Sequence, residues 1–467
     1  MDQAAGRDRP GRIAVATVPK RADTSASDSS AEPPASQRDY ATRIEAMRLL
    51  GVRQQTLYAY VSRGWVRSIA QPGQKEKLYP RDDLARLSMR AQARAGHGAV
   101  AASAMNWGEP IFPSSITEIT AQGPAYRGQL AEQLVSRDVD FESVAELLWT
   151  GEMATKATRW PVRRPLVEMD GLRHLLESLP ASGNVLETFA SVVLVLGSRR
   201  GSIVERVSRG RMLPAAREVI QTLVSCCGFL GQDRRFVPQR SGESMVSLLM
   251  RALCLEPTKE NQTALQAILI LLADHELSPG TLGARVVASA GGTLHSCLAS
   301  ALCATSGLEV GRIYDRVEDL LARASTTSAM VARALLLVKQ GQQVPGFDHP
   351  VYPNGDPRAT QLLPIARARE NRSPQARAVD RFIDRMQSEL GMLPRQELAV
   401  VLLSRTMGLS RQLPPVLFAL SRMAGWVAHV QEQRAAGTLL RPRATGIRQT
   451  DLTVILKTCR DMFNLEH

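Results

Sequence analysis

LPPVLFALSRMAGWVAHVQEQRAAGTLLRPRA, residues 413–444, is the stretch whose reading decides the fold. Its residues 414–433 form one apolar-rich run at helical spacing, with no strand-like alternation to interrupt it. The same pattern recurs outward along the chain. Beyond residue 110, helices are predicted at 127–135, 141–151, 183–198, 213–229, 242–255, 261–274, 281–306, 313–324, 326–339, 360–367, 376–390, 396–407 and 449–464, and strand signal there is confined to the neighbourhood of FPSSITEIT, 112–120. Aromatics are only 4% of the 467 residues, and Ala, Leu, Val and Arg dominate, which favours helix by intrinsic propensity. The fold class expected is mostly α. A helical body of roughly 360 residues is too large for one core, so two packed domains are expected.

Composition narrows the class further. Apolar residues make up 44%, enough for a sizeable core, so disorder throughout is excluded. The longest apolar runs, such as ALQAILILLA, are too short to span a bilayer, so no membrane partner is expected. The first 20 residues carry charges and no apolar stretch, unlike a secretory signal. Six cysteines are scattered without a CxxC, and the expected setting is reducing and cytoplasmic. Residues 1–40, rich in Ser, Ala, Pro and Asp, read as a disordered leader, and the Gly/Ala-rich 96–110 reads as a linker.

The net charge of +13 is unevenly placed: residues 41–95 hold 11 Lys/Arg against 4 Asp/Glu. That segment reads as a helix ending at Gly51 with Ile44, Met47 and Leu50 on its inner stripe, then a second helix, RQQTLYAYVSRG, with Leu57, Tyr60 and Val61 inward. A hairpin follows around Pro72-Gly73, and a third helix is capped by Asp82 or Asp83. Helix, turn, helix, hairpin, helix is the order of a winged helix-turn-helix. The string LGVRQQTLYAYVSRGWVRSI…KLYPRDDLARL resembles the MerR/excisionase type of that fold. The resemblance implies double-stranded DNA as a partner, with Arg53, Gln54, Gln55 and Thr56 at base edges and Arg63, Arg67, Lys75 and Lys77 on phosphates. A protein-interaction module with solvated charges is the alternative.

Several familiar chemistries leave no trace. There is no GxxxxGK[ST] loop, no GxGxxG after a strand and no GxSxG elbow. His275-Glu276 opens like HExxH, but Leu277, Ser278 and Pro279 follow, so the second ligand is missing and no metal is expected.

Four segments between 112 and 444 resemble the citrate synthase family in order and spacing. They are SSITEITAQGPAYRGQLAEQL…FESVAELLWTGE, DHELSPGTLGARVVAS, PGFDHPVYPNGDPRATQLL and the opening stretch with its Ser-Arg-x-x-Gly-Trp and Arg-Pro-Arg elements. The resemblance implies a homodimeric helical body with a large domain, 111–310 and 411–467, and a small domain, 311–410, that closes over the substrates. It implies condensation of acetyl-CoA with oxaloacetate, an acyl-CoA co-substrate and no bound cofactor. By position, His275 binds the oxo acid, and His349 polarises and protonates its ketone. Arg358, Arg422 and Arg441 hold its carboxylates, the last reaching in from the other subunit. Arg suits this task because its planar fork grips a carboxylate bidentately and keeps its charge.

Two departures from that pattern fall on the thioester side and a third stands beside His349. Counting from His275 without gaps puts Val310 where the family's enol-stabilising His belongs, and His295 lies fifteen residues too early to replace it. The general base aligns with Glu397, one methylene longer than Asp, and Asp348 stands for the Gly before His349. Asp348 is expected to raise the His349 pKa and to repel an acidic ligand. Three arginines gathered in one site would repel one another unless an anion bound among them. Three activities stay open on these residues: a weak or altered synthase, a dimeric DNA-binding regulator that senses a di- or tricarboxylate, and a scaffold pairing with an active synthase subunit.

Overall fold

The computed structural model describes residues 40–70, 76–81, 83–84, 87, 113–162, 184–198, 212–323, 326–369 and 373–442. The leader, the 96–110 linker, Lys75, Asp82 and the helix expected at 449–464 lie outside the described residues.

A small amino-terminal unit comes first, made of β1 (Tyr40–Ala41), α1 (Arg43–Leu50), α2 (Gln54–Ser62), β2 (Ile69–Ala70) and β3 (Lys77–Pro80). Thr42 starts α1 through a reciprocal capping box with Glu45, which satisfies two amides that the first helical turn leaves open. The inner stripe of α1 differs from the expected one. Ala46 is fully buried and Ile44 is 61% exposed, because this two-turn helix presents only its Ala46–Met47–Leu50 edge to the unit. In α2, Leu57 is fully buried, with Tyr60 and Val61 packed beside it. The strands form an antiparallel sheet in the order β1-β3-β2, with Ile69 opposite Leu78 and Tyr40 opposite Pro80.

A second antiparallel sheet, β4 (Thr117–Thr120), β5 (Gly123–Tyr126) and β6 (Gln129–Leu130), opens the body. Among the described residues the helices that follow are α3 (Ala131–Ser136), α4 (Phe141–Thr150), α5 (Val185–Ser198), α6 (Met212–Cys226), α7 (Met245–Ala252), α8 (Lys259–Leu271), α9 (Pro279–Ser289) and α10 (Leu294–Thr305). Next come α11 (Ile313–Ala322), α12 (Thr327–Lys339), α13 (Pro357–Ala368), α14 (Pro374–Leu390), α15 (Gln396–Thr406) and α16 (Leu413–Ala436). The helix expected over 281–306 is two helices. Gly291 sits at φ +78°, a left-handed position that ends α9, and the Thr293 side chain caps α10 by accepting from Ser296.

α16 organises the body. Nearly every residue from Val416 to Val430 is buried, as expected of a helix that is apolar all round, and α4, α5, α6, α8, α9, α10 and α15 pack on it. α11, α12, α14 and α15 pack on one another beyond it, and α13 lies against α8 and α15. Among the described residues no helix is long and apolar enough to cross a membrane.

Candidate functional site

The site forms where the segment after α8, the turn before α13, the start of α15 and the middle of α16 converge. Gly425 makes this approach possible. A Cβ there would stand 2.2 Å from Asp274 Oδ1 and 2.6 Å from the Ala273 carbonyl, and its amide donates to that carbonyl at 3.0 Å. Asp274 is fully buried, and its Oδ2 accepts from Thr117 (2.6 Å) and from His429 Nε2 (3.2 Å). Arg285 Nε donates to His429 Nδ1 at 2.9 Å, so the His429 proton sits on Nε2, facing Asp274. Burial alone would raise the Asp274 pKa, but His429 and Arg422 outweigh it and hold the carboxyl below its usual range.

His275 follows directly. Its ring lies 5.6 Å from that of His349 and 5.5 Å from that of Tyr352, with Nε2 2.9 Å from the Tyr352 hydroxyl. Desolvation, then the cationic Arg358, pushes the His275 pKa well below the ordinary histidine range, so the ring is neutral at physiological pH. In His349, Nδ1 accepts the Val351 amide at 3.1 Å. A backbone N–H can only donate, so the neutral ring carries its proton on Nε2 and is a hydrogen-bond donor there.

The two buried arginines differ. Arg358, at the start of α13, gives Nε and Nη2 to the two oxygens of Asp356, both at 2.9 Å, and Asp356 also receives the Gln396 amide at 3.0 Å. Burial opposes the charge, but Asp356 more than compensates and the Arg358 pKa is raised. Arg422 is 2% exposed, and its Nε and Nη1 have no hydrogen-bond partner. Burial first, with Arg358 nearby, lowers its pKa against the pull of Asp274. Arg358 and Arg422 lie close enough that Arg358 lowers the Arg422 pKa, as the expected repulsion requires. Arg358 is neutralised by Asp356, and Arg422 alone of the pair carries an unmatched edge.

Arg441 stands elsewhere. It is exposed, and the preceding Leu440 bonds to Ser289 (3.1 Å) at the end of α9 far from His275. Eleven helical residues separate those ends by about 15 Å, so within one chain Arg441 does not join the cluster.

Glu397 lies in the first turn of α15, 5% exposed, with Oε1 and Oε2 accepting from Arg395 at 2.7 and 3.0 Å. His349 and Glu397 are set by one backbone clip. Asp348 N donates to Leu393 O (2.8 Å), Leu393 N donates to Asp348 Oδ1 (3.0 Å) and Arg395 N donates to Gly346 O (2.8 Å). The repulsive role expected of Asp348 is corrected by its surroundings, since its carboxylate caps Leu393 and faces Arg67 Nη1 at 3.7 Å. Val310 is half-buried and packs on the core, in the turn between α10 and α11. His295 is buried in the first turn of α10, with its side chain close against Gly197 of α5. Arg312 is occupied by Asp315 at 2.7 Å.

Of the positions read as DNA contacts, Arg53, Gln54, Gln55, Arg63 and Lys77 are exposed and Thr56 is half-buried. Gln54 Nε2 donates to Tyr58 (2.9 Å), and Arg63 lies over the Trp65 ring (5.4 Å). The reading of Arg67 as a phosphate ligand is corrected. Its fork is held bidentately by Asp83 at 2.9 and 3.0 Å, and the far side meets Asp348, leaving little of it to solvent.

Sequence reasoning missed Tyr352, Asp356, Gln396 and the Asp274–His429 pair. Asp356 had a visible signal: an Asp directly before Pro-Arg is a helix cap poised to hold the Arg. The partners of Asp274 come from residues 157 and 155 positions away, which no local pattern displays.

Known proteins supply the frame for this geometry. Residues 105–443 match the family model described as citrate synthase, C-terminal domain. A 2-methylcitrate synthase of Mycobacterium tuberculosis is 27% identical over 354 residues, 72% of this chain and 88% of that protein. Citrate synthase 2 of Bacillus subtilis is 30% identical over 192 residues, 40% of this chain and about half (52%) of its own length. Among solved structures, the citrate synthase of Thermoplasma acidophilum in ternary complex with carboxymethyl coenzyme A and oxaloacetate superposes with a TM-score of 0.63 at 20% identity, covering 73% of this chain and 94% of that one. The Thermotoga maritima citrate synthase gives 0.59 at 22% identity, over 74% and 95%. With more than half its length matched by the family model and the helical architecture shared, the chain belongs to the citrate synthase family.

Proposed function

We propose that the chain is a homodimeric, oxaloacetate-type dicarboxylate-binding member of the family whose acyl-CoA condensation is slow. The observation that carries this reading is the Arg422 guanidinium, buried with Nε and Nη1 unpartnered beside His275 and Arg358. A buried cation with open donors costs several kcal/mol unless an anion meets it, on the order of what a bidentate carboxylate returns. A 2-oxo dicarboxylate places one carboxylate on Arg422 and its ketone oxygen on His349 Nε2–H. Arg441 of the partner subunit completes the grip.

In the condensation, Glu397 takes a proton from the methyl of acetyl-CoA or another acyl-CoA. The resulting carbanion attacks the ketone carbon, the ketone oxygen takes the His349 proton, and water hydrolyses the thioester to release CoA thiol. Two features slow the first step. Glu397 must open its fork with Arg395 to act as a base, and Val310 offers the enolate oxygen no donor. A missing proton-transfer or oxyanion donor costs on the order of 10²–10⁴ in rate. The large domain, 111–310 with 411–467, and the small domain, 311–410, would close over the ligands. In a thiol-release assay with oxaloacetate and acetyl-CoA or propionyl-CoA, the expected rate is at least about 100-fold below the ordinary ~10 s⁻¹ of enzymes. Turnover at that ordinary rate would contradict the slow-condensation reading.

A second reading adds double-stranded DNA as partner, supported by the outward-facing Arg53, Gln54, Gln55, Arg63 and Lys77 on one basic unit. In a dimer two α2 helices would read a near-palindromic site, and the bound acid would tune affinity. Selection from random duplexes tests it. Enrichment of an inverted repeat, weakened by Gln55→Ala, is expected; no enrichment at 50–100 mM salt (about the range where phosphate contacts still hold) overturns it.

A further inference from the structure

The small sheet of the amino-terminal unit has two apolar faces. Strand alternation turns Ala41 and Tyr79 towards the unit's own core, with Ala46, Leu57, Val66, Leu84 and Leu87. Tyr40, Ile69 and Leu78, one from each strand, point the other way and are 5%, 4% and 8% exposed within the core cluster of the body. A sheet finished on one side by its own helices and on the other by the body is part of the body's wall rather than a tethered appendage. At the edge of this packing Arg67 is fixed by Asp83 through both its backbone amide and its fork, and it presents Nη1 to Asp348.

Asp348 is an unusual residue for its place. It stands at φ +57°, a left-handed backbone that costs a non-glycine residue of order 1 kcal/mol or more, directly before His349. Its amide and its carboxylate close both sides of the clip to Leu393, in the segment that leads into Glu397. Near Asp348 the charged groups from each packed element are Arg67 and Asp83 of the amino-terminal unit and Arg395 of the clip.

We propose that Arg67 is a positioning residue for the pocket: by facing Asp348 it holds the left-handed turn and the 346–348/393–395 clip, and thereby the placement of His349 relative to Glu397. Among the described residues, the amino-terminal unit thus acts on this turn through the Arg67–Asp348 guanidinium–carboxylate contact. The idea rests on reading His349 as the pocket's donor, but its structural core is testable without any ligand.

The test is a cycle of Arg67→Gln, Asp348→Asn and the double variant in the full chain, read by amide hydrogen exchange at Asp348, Leu393 and Arg395. Asn tolerates the left-handed backbone and keeps an acceptor for Leu393, so Asp348→Asn removes only the charge. Each single variant is expected to speed exchange at these amides about 3- to 10-fold, with no further gain in the double, while α8 stays unchanged. Arg67→Lys should recover little of the protection, because a single ammonium cannot hold both oxygens of Asp83 and still face Asp348. Where Arg67→Gln also loosens α1 and β3, Asp348→Asn decides. Unchanged exchange in Asp348→Asn, or single effects that multiply in the double, overturns the proposal. As a functional arm, the oxaloacetate dissociation constant should rise about 3- to 10-fold in each single variant. If the unaltered chain takes up no oxaloacetate while the exchange pattern appears, the pocket reading fails and the positioning role stands.

Discussion

On one side of the site Arg422 keeps two donors unpartnered in a buried place; on the other, Glu397 has both oxygens engaged by Arg395. The first side is unfinished as it stands and is completed by an anion from outside. The second is already satisfied from within. Unsatisfied buried charge is what a binding site retains, because the ligand repays the desolvation, whereas a self-contained ion pair has the character of a structural contact. The difference separates what the family resemblance implies for the oxo acid from what it implies for the thioester.

The largest effect expected is on Arg422. Arg422→Met should weaken oxaloacetate binding by at least about 100-fold, ~3 kcal/mol, in calorimetric titration. The same variant should melt near the temperature of the unaltered chain without ligand, since losing a buried cation with two open donors relieves a desolvation cost while Asp274 loses part of the charge that keeps it ionised. Retained binding, or a large loss of apo stability, would erase the contrast between the two sides.

Next is the reverse experiment on the satisfied side. Val310→His should raise CoA thiol release about 10- to 100-fold and leave oxaloacetate affinity within about threefold. A shift in affinity with no gain in rate would mean that Val310 borders the oxo acid instead.

The smallest effect concerns pH. The folded-state pKa of His275 is held well below the ordinary value by desolvation and Arg358. Below about 6.5 the unfolded chain binds a proton that the folded chain refuses, so stability falls with acidification by up to about 1.4 kcal/mol per pH unit. His275→Gln should flatten that slope between pH 6.5 and 5, and bound oxaloacetate should flatten it in the unaltered chain by favouring the charged ring. Equal slopes in chain and variant would show His275 to be an ordinary, solvated histidine.

Much of this was legible in the residues. The run 413–436 announced a central helix because it is apolar along most of its length, and the grouping of Arg422, Arg358, His275 and His349 was implied by the resemblance of their segments to the citrate synthase family. What was hidden is pairing over long sequence distance. Nothing local ties Arg67 to Asp348, or Thr117 and His429 to Asp274, so Arg67 read as a free basic residue and Asp348 as an unanswered charge. The break at Gly291 was hidden differently, since two helices meeting at a Gly-Gly-Thr turn have the same apolar period on both sides. Ile44 illustrates a third limit: in an eight-residue helix a single small residue, Ala46, can take the buried edge from a larger one.

The most direct test is calorimetric titration of the full-length chain with oxaloacetate in the absence of any CoA thioester. A saturable heat with one acid per protomer is the result expected from an unpartnered Arg422 beside a neutral His275 and a donating His349. No heat and no rise in melting temperature at millimolar acid would contradict it, and would leave Arg422 a buried charge without a purpose.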